Sequence, residues 1–272
     1  MAKEQRRWAL VTGATDGVGR VVATRLGESG WHVLAHGRDR ERGAAVVEEI
    51  AAKGGTAEFL RADLASLAEV RMLADAVRAK TDRLQLLINN AGIGTGGRSS
   101  TREESADGHE LRFSVNYLAG FLLTRLLLPL LKAGAPARIV NVASAGQQAI
   151  DFADLMLIRG YSGGRAYCQS KLAQILFTID LAAELKGSGV TVNALHPATY
   201  MDTTMVRRAG LTPMSSVAEG AEAILNLAVA PGTAEVSGRY FNGLREARAD
   251  AQAYDAAARE TLRRVSAELT RL

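Results

Sequence analysis

Trp8-Ala9-Leu10-Val11-Thr12-Gly13-Ala14-Thr15-Asp16-Gly17-Val18-Gly19-Arg20 is the stretch that sets the architecture. Its first four residues read as a buried strand. Three glycines follow at G-x-x-x-G-x-G spacing, and then Val21, Val22 and Leu26 recur with a helical period. Strand, glycine-rich turn and helix in that order aim backbone N–H groups and a helix N-terminus at one point. A pyrophosphate can sit there. A tight turn alone would explain the glycines but not their place between a first strand and a first helix. Gly13, Thr15, Asp16, Gly17, Val18 and Gly19 are therefore the first candidate binding residues.

Moving outward, residues 31–35 read as a second strand, followed by His36-Gly37-Arg38-Asp39. About 20 residues past the glycines, a dinucleotide fold distinguishes its two nicotinamide cofactors. An acid there binds a ribose 2′-hydroxyl, whereas a guanidinium holds a 2′-phosphate through forked, charge-assisted hydrogen bonds. Arg38 comes first, and Asp39 is suited to cap a helix over 40–53. This predicts NADP(H), with NAD(H) as the alternative, and against both stands a merely solvated Arg38.

Strands are expected at 56–61, 84–88, 138–142, 190–195 and near 238–241, alternating with helices at 66–80, 109–132, 165–185 and 217–229. Asp63 is suited to cap the helix at 66 and to sit at the adenine edge, two compatible roles. The small residues of Asn89-Asn90-Ala91-Gly92 let backbone pass close to a ligand. A polar loop or helix start is expected at 98–108. Asn116 in mid-helix is disfavoured on propensity and needs a reason. Residues 198–216 show no period and form a candidate substrate lid. A C-terminal helix is expected over 246–272, with Tyr254, Ala258, Leu262, Val265 and Leu269 as a stripe that docks on the domain or on a second copy of it.

This alternation predicts an α/β chain: a doubly wound parallel sheet of about seven strands flanked by helices, in one domain spanning 1–272. Ligands in such sheets bind outside the carboxyl ends of the strands. The glycine loop, Arg38, Asp63 with Leu64, Asn90 with Ala91 and Gly92, Ser144, and Pro197 with Thr199 all follow strand ends.

The segment from Asn141-Val142-Ala143-Ser144 to Tyr167-Cys168-Gln169-Ser170-Lys171 carries the chemistry. Tyr167 and Lys171 lie one helical turn apart on one face. A free phenol titrates near about 10, and a nearby cation brings that value down. Ser144, leaving a neighbouring strand, could hold a carbonyl oxygen beside the phenol. Read alone, the pair is an ordinary surface couple.

The totals fit this picture. The chain has 272 residues, of which 47% are apolar, and Lys plus Arg (33) exceed Asp plus Glu (29) only slightly. Nucleic-acid binding is not suggested. The single cysteine excludes an internal disulfide and fits a cytoplasmic location. The greasiest run, 121–131, holds Arg125 and Pro129 and is too short to span a bilayer. The four histidines lack ligand spacing, so no metal is expected.

Taken together, Thr12-Gly13-x-x-x-Gly17-x-Gly19, Asn89-Asn90-Ala91-Gly92, Asn116, Ser144 and Tyr167-x-x-x-Lys171 resemble the short-chain dehydrogenase/reductase family over about 8–241. Residues 161–173, the long Ser-to-Tyr spacing and His36-Gly37-Arg38-Asp39 resemble its retinol-dehydrogenase-like branch, which commonly uses NADP(H). Pro197-Ala198 departs from the usual Pro-Gly, and alanine lacks glycine's freedom at positive φ.

The resemblance implies a role for each site residue. Tyr167 is the general acid or base, and Ser144 holds the carbonyl. Lys171 lowers the Tyr167 pKa and binds the nicotinamide ribose. Asn116 holds a water that links Lys171 to solvent. It also implies self-association through two central helices as a homo-oligomer. The expected activity is NADP(H)-dependent interconversion of a lipophilic ketone or aldehyde with its alcohol. Alternatives are a ketoreductase tailoring a specialised metabolite such as a polyketide, and a non-catalytic NADP(H)-binding regulator.

Overall fold

The computed structural model describes residues 6–96 and 100–272, so the start of the polar loop expected at 98–108 lies outside the described residues. One sheet runs in the order β3-β2-β1-β4-β5-β6-β7-β8. Its parallel strands are β1 (Arg7–Val11), β2 (Trp31–Gly37), β3 (Thr56–Arg61), β4 (Leu86–Asn89), β5 (Ala137–Val142), β6 (Val190–His196) and β7 (Tyr240–Asn242). The eighth, β8 (Arg245–Ala247), pairs antiparallel with β7. The expectation of about seven strands thus falls one short.

Parallel neighbours need crossovers, and the helices supply them. These are α1 (Gly17–Glu28), α2 (Arg40–Ala52), α3 (Leu67–Lys80), α4 (Leu111–Phe113), α5 (Ala119–Ala133), α6 (Gly163–Glu184), α7 (Thr204–Arg208), α8 (Val217–Val229) and α9 (Ala256–Thr270). Their starts are written in the sequence as side-chain caps. Asp16, Asp39, Ser66, Ser162 and Asp255 each accept from a first-turn N–H, and Ser216 forms a reciprocal capping box with Glu219.

Both faces of the sheet are covered, which is why its central strands are mostly apolar and buried. Side chains alternate between two cores: Leu10 and Leu87 point to one, Ala9, Val11, Leu86 and Ile88 to the other. The first core takes α3, α5, α6 and α9, and the second takes α1, α2 and α8. Strand order reverses between β1 and β4, and the crevice at that switch is where a doubly wound sheet binds its ligand.

Several expectations need correction. Asp63 does not cap α3; Ser66 does, while Asp63 Oδ1 accepts from the Ala65 N–H in a local turn. The long helix expected over 109–132 is three pieces, because a π-helical turn (Ser114–Leu118) joins α4 to α5. Its composite, Leu111–Ala133, is 23 residues long and apolar enough to cross a membrane by composition, yet 67% of its most apolar window is buried inside the domain.

The C-terminal helix starts at Ala256, ten residues later than expected, because Glu246 belongs to β8 and Asp255 caps the helix. Its inward face is Ala258, Leu262, Ser266 and Thr270. Tyr254 stands outside the helix, its hydroxyl accepting from the Ala249 N–H. This helix docks on its own domain. Ser266 meets the buried Tyr117 hydroxyl at 2.7 Å, Arg263 pairs with Asp180 of α6, and Arg71 of α3 donates to the Thr270 carbonyl.

Candidate active site

The glycine turn is held from below. Thr12 Oγ1 accepts from the N–H groups of Asn90 and Ala91, at 2.9 and 3.0 Å. The Asn90 amide returns two bonds, to the carbonyls of Thr12 and Gly13. Asn90 therefore fastens the loop after β4 to the loop after β1. Gly13 and Gly17 have φ of +65° and +52°, a region that favours glycine. A Cβ on Gly19 would collide with the Gly13 carbonyl oxygen and the Asn90 amide, so only hydrogen fits. Val18 and Leu64 are buried beside this turn, and Thr15 packs over Gly37.

His36, which the sequence reading passed over, also braces the turn. Its Nδ1 accepts from the Gly13 N–H at 3.3 Å and its Nε2 meets the Ala62 carbonyl at 3.1 Å. That pairing requires the neutral ring with the proton on Nε2, and burial pushes its pKa down to about 4. Just beyond, Arg38 is 68% exposed and stands 3.8 Å from Asp63, a loose ion pair with donors to spare. Arg42 lies nearby, 3.6 Å from Asp16. A cradle that excludes side chains, flanked by a loosely paired guanidinium, fits a nicotinamide dinucleotide.

At the other side of the crevice, Ser144 follows β5 and is buried. Tyr167, on the first turns of α6, is partly exposed, and a Cβ on Gly146 would stand 3.5 Å from Ser144 Oγ and 3.8 Å from the Tyr167 ring, so the two side chains are neighbours. Burial raises the phenol's pKa, and the neighbouring Ser144 hydroxyl opposes that rise. Lys171 is buried, its Nζ 5.8 Å from the Tyr167 ring centroid. The ammonium donates to the Val142 carbonyl at 2.9 Å and to Gln174 Oε1 at 3.0 Å. Neither acceptor carries charge, so burial dominates and lowers Lys171 to about 7. These bonds anchor α6 to the end of β5 through Lys171. Gln174, one turn further along α6, is a partner the motif reading did not single out.

Asn116 finds its reason here. The π-turn carries it to the 93–96 loop, where Oδ1 accepts from the Ile93 N–H at 2.7 Å. Its Nδ2 donates to the Ile93 carbonyl and to Ser170 Oγ. A side chain on Gly92 would stand 3.2 Å from Asn116 Oδ1 and 3.5 Å from Lys171 Nζ, so glycine lets all three meet. A cavity of about 10 Å³, room for about one water, is lined by Asn89, Asn116, Thr12 and Gln174.

Past β6, Pro197 is buried and Thr199 Oγ1 meets His196 Nε2 at 3.1 Å. The positive φ falls at Tyr200 (+44°) rather than at Ala198, so alanine is accommodated where the family has glycine. The 198–216 segment is closed by a Met201–Ser215 bridge and carries α7. Thr203 lies against Gly17 and Met205 against Gly94. The segment thus spans the crevice, with Tyr200, Met205, Leu211 and Met214 exposed.

The short chain dehydrogenase family model matches residues 7–213. Human retinol dehydrogenase 13 is 40% identical over 285 residues, covering 97% of this chain and 83% of that protein. Human retinol dehydrogenase 12 is 38% identical, covering 96% and 85%. Among solved structures, one from Mycobacterium paratuberculosis matches with TM-score 0.80 at 31% identity, covering 97% of this chain and 93% of that one. A Pseudomonas aeruginosa RhlG/NADP complex matches at 0.72 and 30%, covering 87% and 94%. An actinorhodin polyketide ketoreductase with NADPH matches at 0.72 and 28%, covering 90% and 99%. The chain belongs to the short-chain dehydrogenase/reductase family, in its retinol-dehydrogenase-like branch, and is an oxidoreductase of that fold.

Proposed function

We propose that the protein interconverts a lipophilic ketone or aldehyde and the corresponding alcohol, using NADP(H), in a cytoplasmic setting. The observation that carries this reading is that Ser144, just past β5, and Tyr167, on α6, lie side by side against Gly146, on the sheet edge that also carries the glycine turn. The nicotinamide, when bound, supplies or takes up hydride at the carbonyl carbon. The remaining work belongs to this chain. Ser144 donates to the carbonyl oxygen and stabilises the charge that develops there. Tyr167 passes its proton to that oxygen in reduction and receives it in oxidation. Lys171, held by Val142 and Gln174, would bind the nicotinamide ribose. Asn116 keeps Ile93 and Ser170 in register around it. The cavity beside Asn116 and Gln174 suits a water on the proton's path.

Arg38 supports the choice of NADP(H): it is exposed, loosely paired and first after β2. The NADP-bound relatives in structure point the same way. Exposed Tyr200, Met205, Leu211 and Met214 in the segment over the crevice support a lid and an apolar substrate. A polyketide ketone remains a second reading, favoured by the likeness to the actinorhodin enzyme.

The test follows NADPH absorbance across a panel of apolar carbonyls. Tyr167→Phe should lower kcat by about 10²–10⁴-fold while cofactor still binds; equal rates for both proteins on every substrate would refute the reading. Arg38→Asp should weaken NADPH binding by about tenfold or more and leave NADH unharmed. Unchanged NADPH affinity would remove Arg38 from the role.

A further inference from the structure

The catalytic-site serine is held by a part of the chain that the family model does not reach. Ser144 Oγ accepts from the Gly146 N–H at 3.0 Å, which fixes one lone pair and leaves its proton free to donate. The Ser144 carbonyl accepts two more bonds. One comes from Gln147 Nε2 at 3.0 Å, the other from the Tyr240 hydroxyl at 3.1 Å. The other end of the Gln147 amide accepts from the Asp250 N–H at 2.8 Å. Two residues on, Gln252 repeats the device: its Oε1 accepts from the Ile150 N–H at 2.6 Å and its Nε2 donates to the Ile150 carbonyl at 3.1 Å. Tyr240, Asp250 and Gln252 all lie beyond residue 213, where the family match ends.

We propose that the β7–β8 hairpin and the turn at 250–252 form a brace that positions Ser144, with Gln147 and Tyr240 as its positioning residues. The proposal rests on the reading of Ser144 as the group that holds the carbonyl. A loop end with one backbone bond can rock, whereas two donors converging on one carbonyl from different elements fix the peptide plane. The hydroxyl of the same residue is then aimed by geometry rather than selected from rotamers, and small misplacements of such groups reduce rates sharply. Burial pushes the Tyr240 phenol up to about 12, so it stays a donor at working pH. Gln147 is suited to its place because one side chain must both donate and accept, as an amide does and a carboxylate does not.

That asymmetry provides the test. Gln147→Glu keeps the acceptor for Asp250 but donates to Ser144 only while protonated. Its kcat, divided by that of wild type, should fall about tenfold as pH rises from about 5 to 8, as a carboxyl raised by its carbonyl neighbour ionises. Gln147→Met should be low at every pH, with a flat ratio. Tyr240→Phe, which keeps the ring, should lower kcat with little change in cofactor KM. A ratio near one for all three variants would overturn the brace. The second arm needs no substrate: in Gln147→Met, hydrogen exchange at the Gly146 amide should quicken about tenfold or more while the core strands stay protected. Unchanged Gly146 exchange would overturn the brace even if wild type proved inert on every carbonyl, a result that would instead sink the activity reading.

Discussion

Lys171 is a buried amine with no counter-charge among the described residues, and this has a measurable consequence. Its folded pKa of about 7 lies well below its ordinary 10.5. Between those values the unfolded chain binds a proton that the folded chain does not, so Lys171 makes stability rise with pH across that window. Lys171→Met should remove the rise: urea midpoints of variant and wild type should differ most below pH about 7 and converge toward pH about 10. His36 has the same sign in a lower window. Its pKa falls to about 4 from 6.5, so stability drops as pH falls from 6.5 toward 4 and then levels. His36→Asn should flatten that limb, whose depth is on the order of 3 kcal/mol. A limb of equal depth in the variant would mean another group causes it. The two residues were unequally visible in the sequence. Lys171 announces itself by its distance from Tyr167, while His36 acts through backbone groups of Gly13 and Ala62 that no spacing rule connects.

At the scale of elements, the π-turn at Ser114–Leu118 is the sharpest departure from the expected helix. A disfavoured Asn in mid-helix was a real signal, because π-turns re-aim side chains at functional sites. Its partner, the Ile93 backbone, lies 23 residues away, and pattern reading cannot reach so far. Asn116→Ala leaves the Ile93 N–H and carbonyl without that side chain. It should lower stability by about 1–3 kcal/mol, read from denaturation midpoints, and loosen the 93–96 loop. The caps, by contrast, were legible: Asp39 stands at the start of α2 as expected. Strand β8 could have been found too. Asn242-Gly243 is a strong hairpin signal, and Gly243 does adopt a φ of +59°. What hid it was the helical-looking composition downstream, which drew the helix boundary back to Glu246.

For the whole molecule, the alternating pattern was enough to place the sheet, the switch point and the edge on which the candidate residues gather. It did not disclose what α9 does. The expected stripe of apolar residues is in fact half polar, because Ser266 and Thr270 take the inward places by bonding Tyr117 and the helix backbone. Leu262 is the apolar centre of that contact and is 1% exposed. Leu262→Ala should therefore cost about 2–5 kcal/mol, read as a lowered melting temperature. A shift within error would mean α9 can detach without disturbing the core.

The brace on Ser144 also bears on when this protein becomes an enzyme during synthesis. Everything the family pattern names has left the ribosome once residue 213 emerges, yet the serine's carbonyl still lacks Tyr240, and Gln147 still lacks the Asp250 N–H. A nascent chain stalled between those points should bind dinucleotide through its finished first half and turn over slowly or not at all. Translation order would then separate cofactor loading from the onset of redox activity.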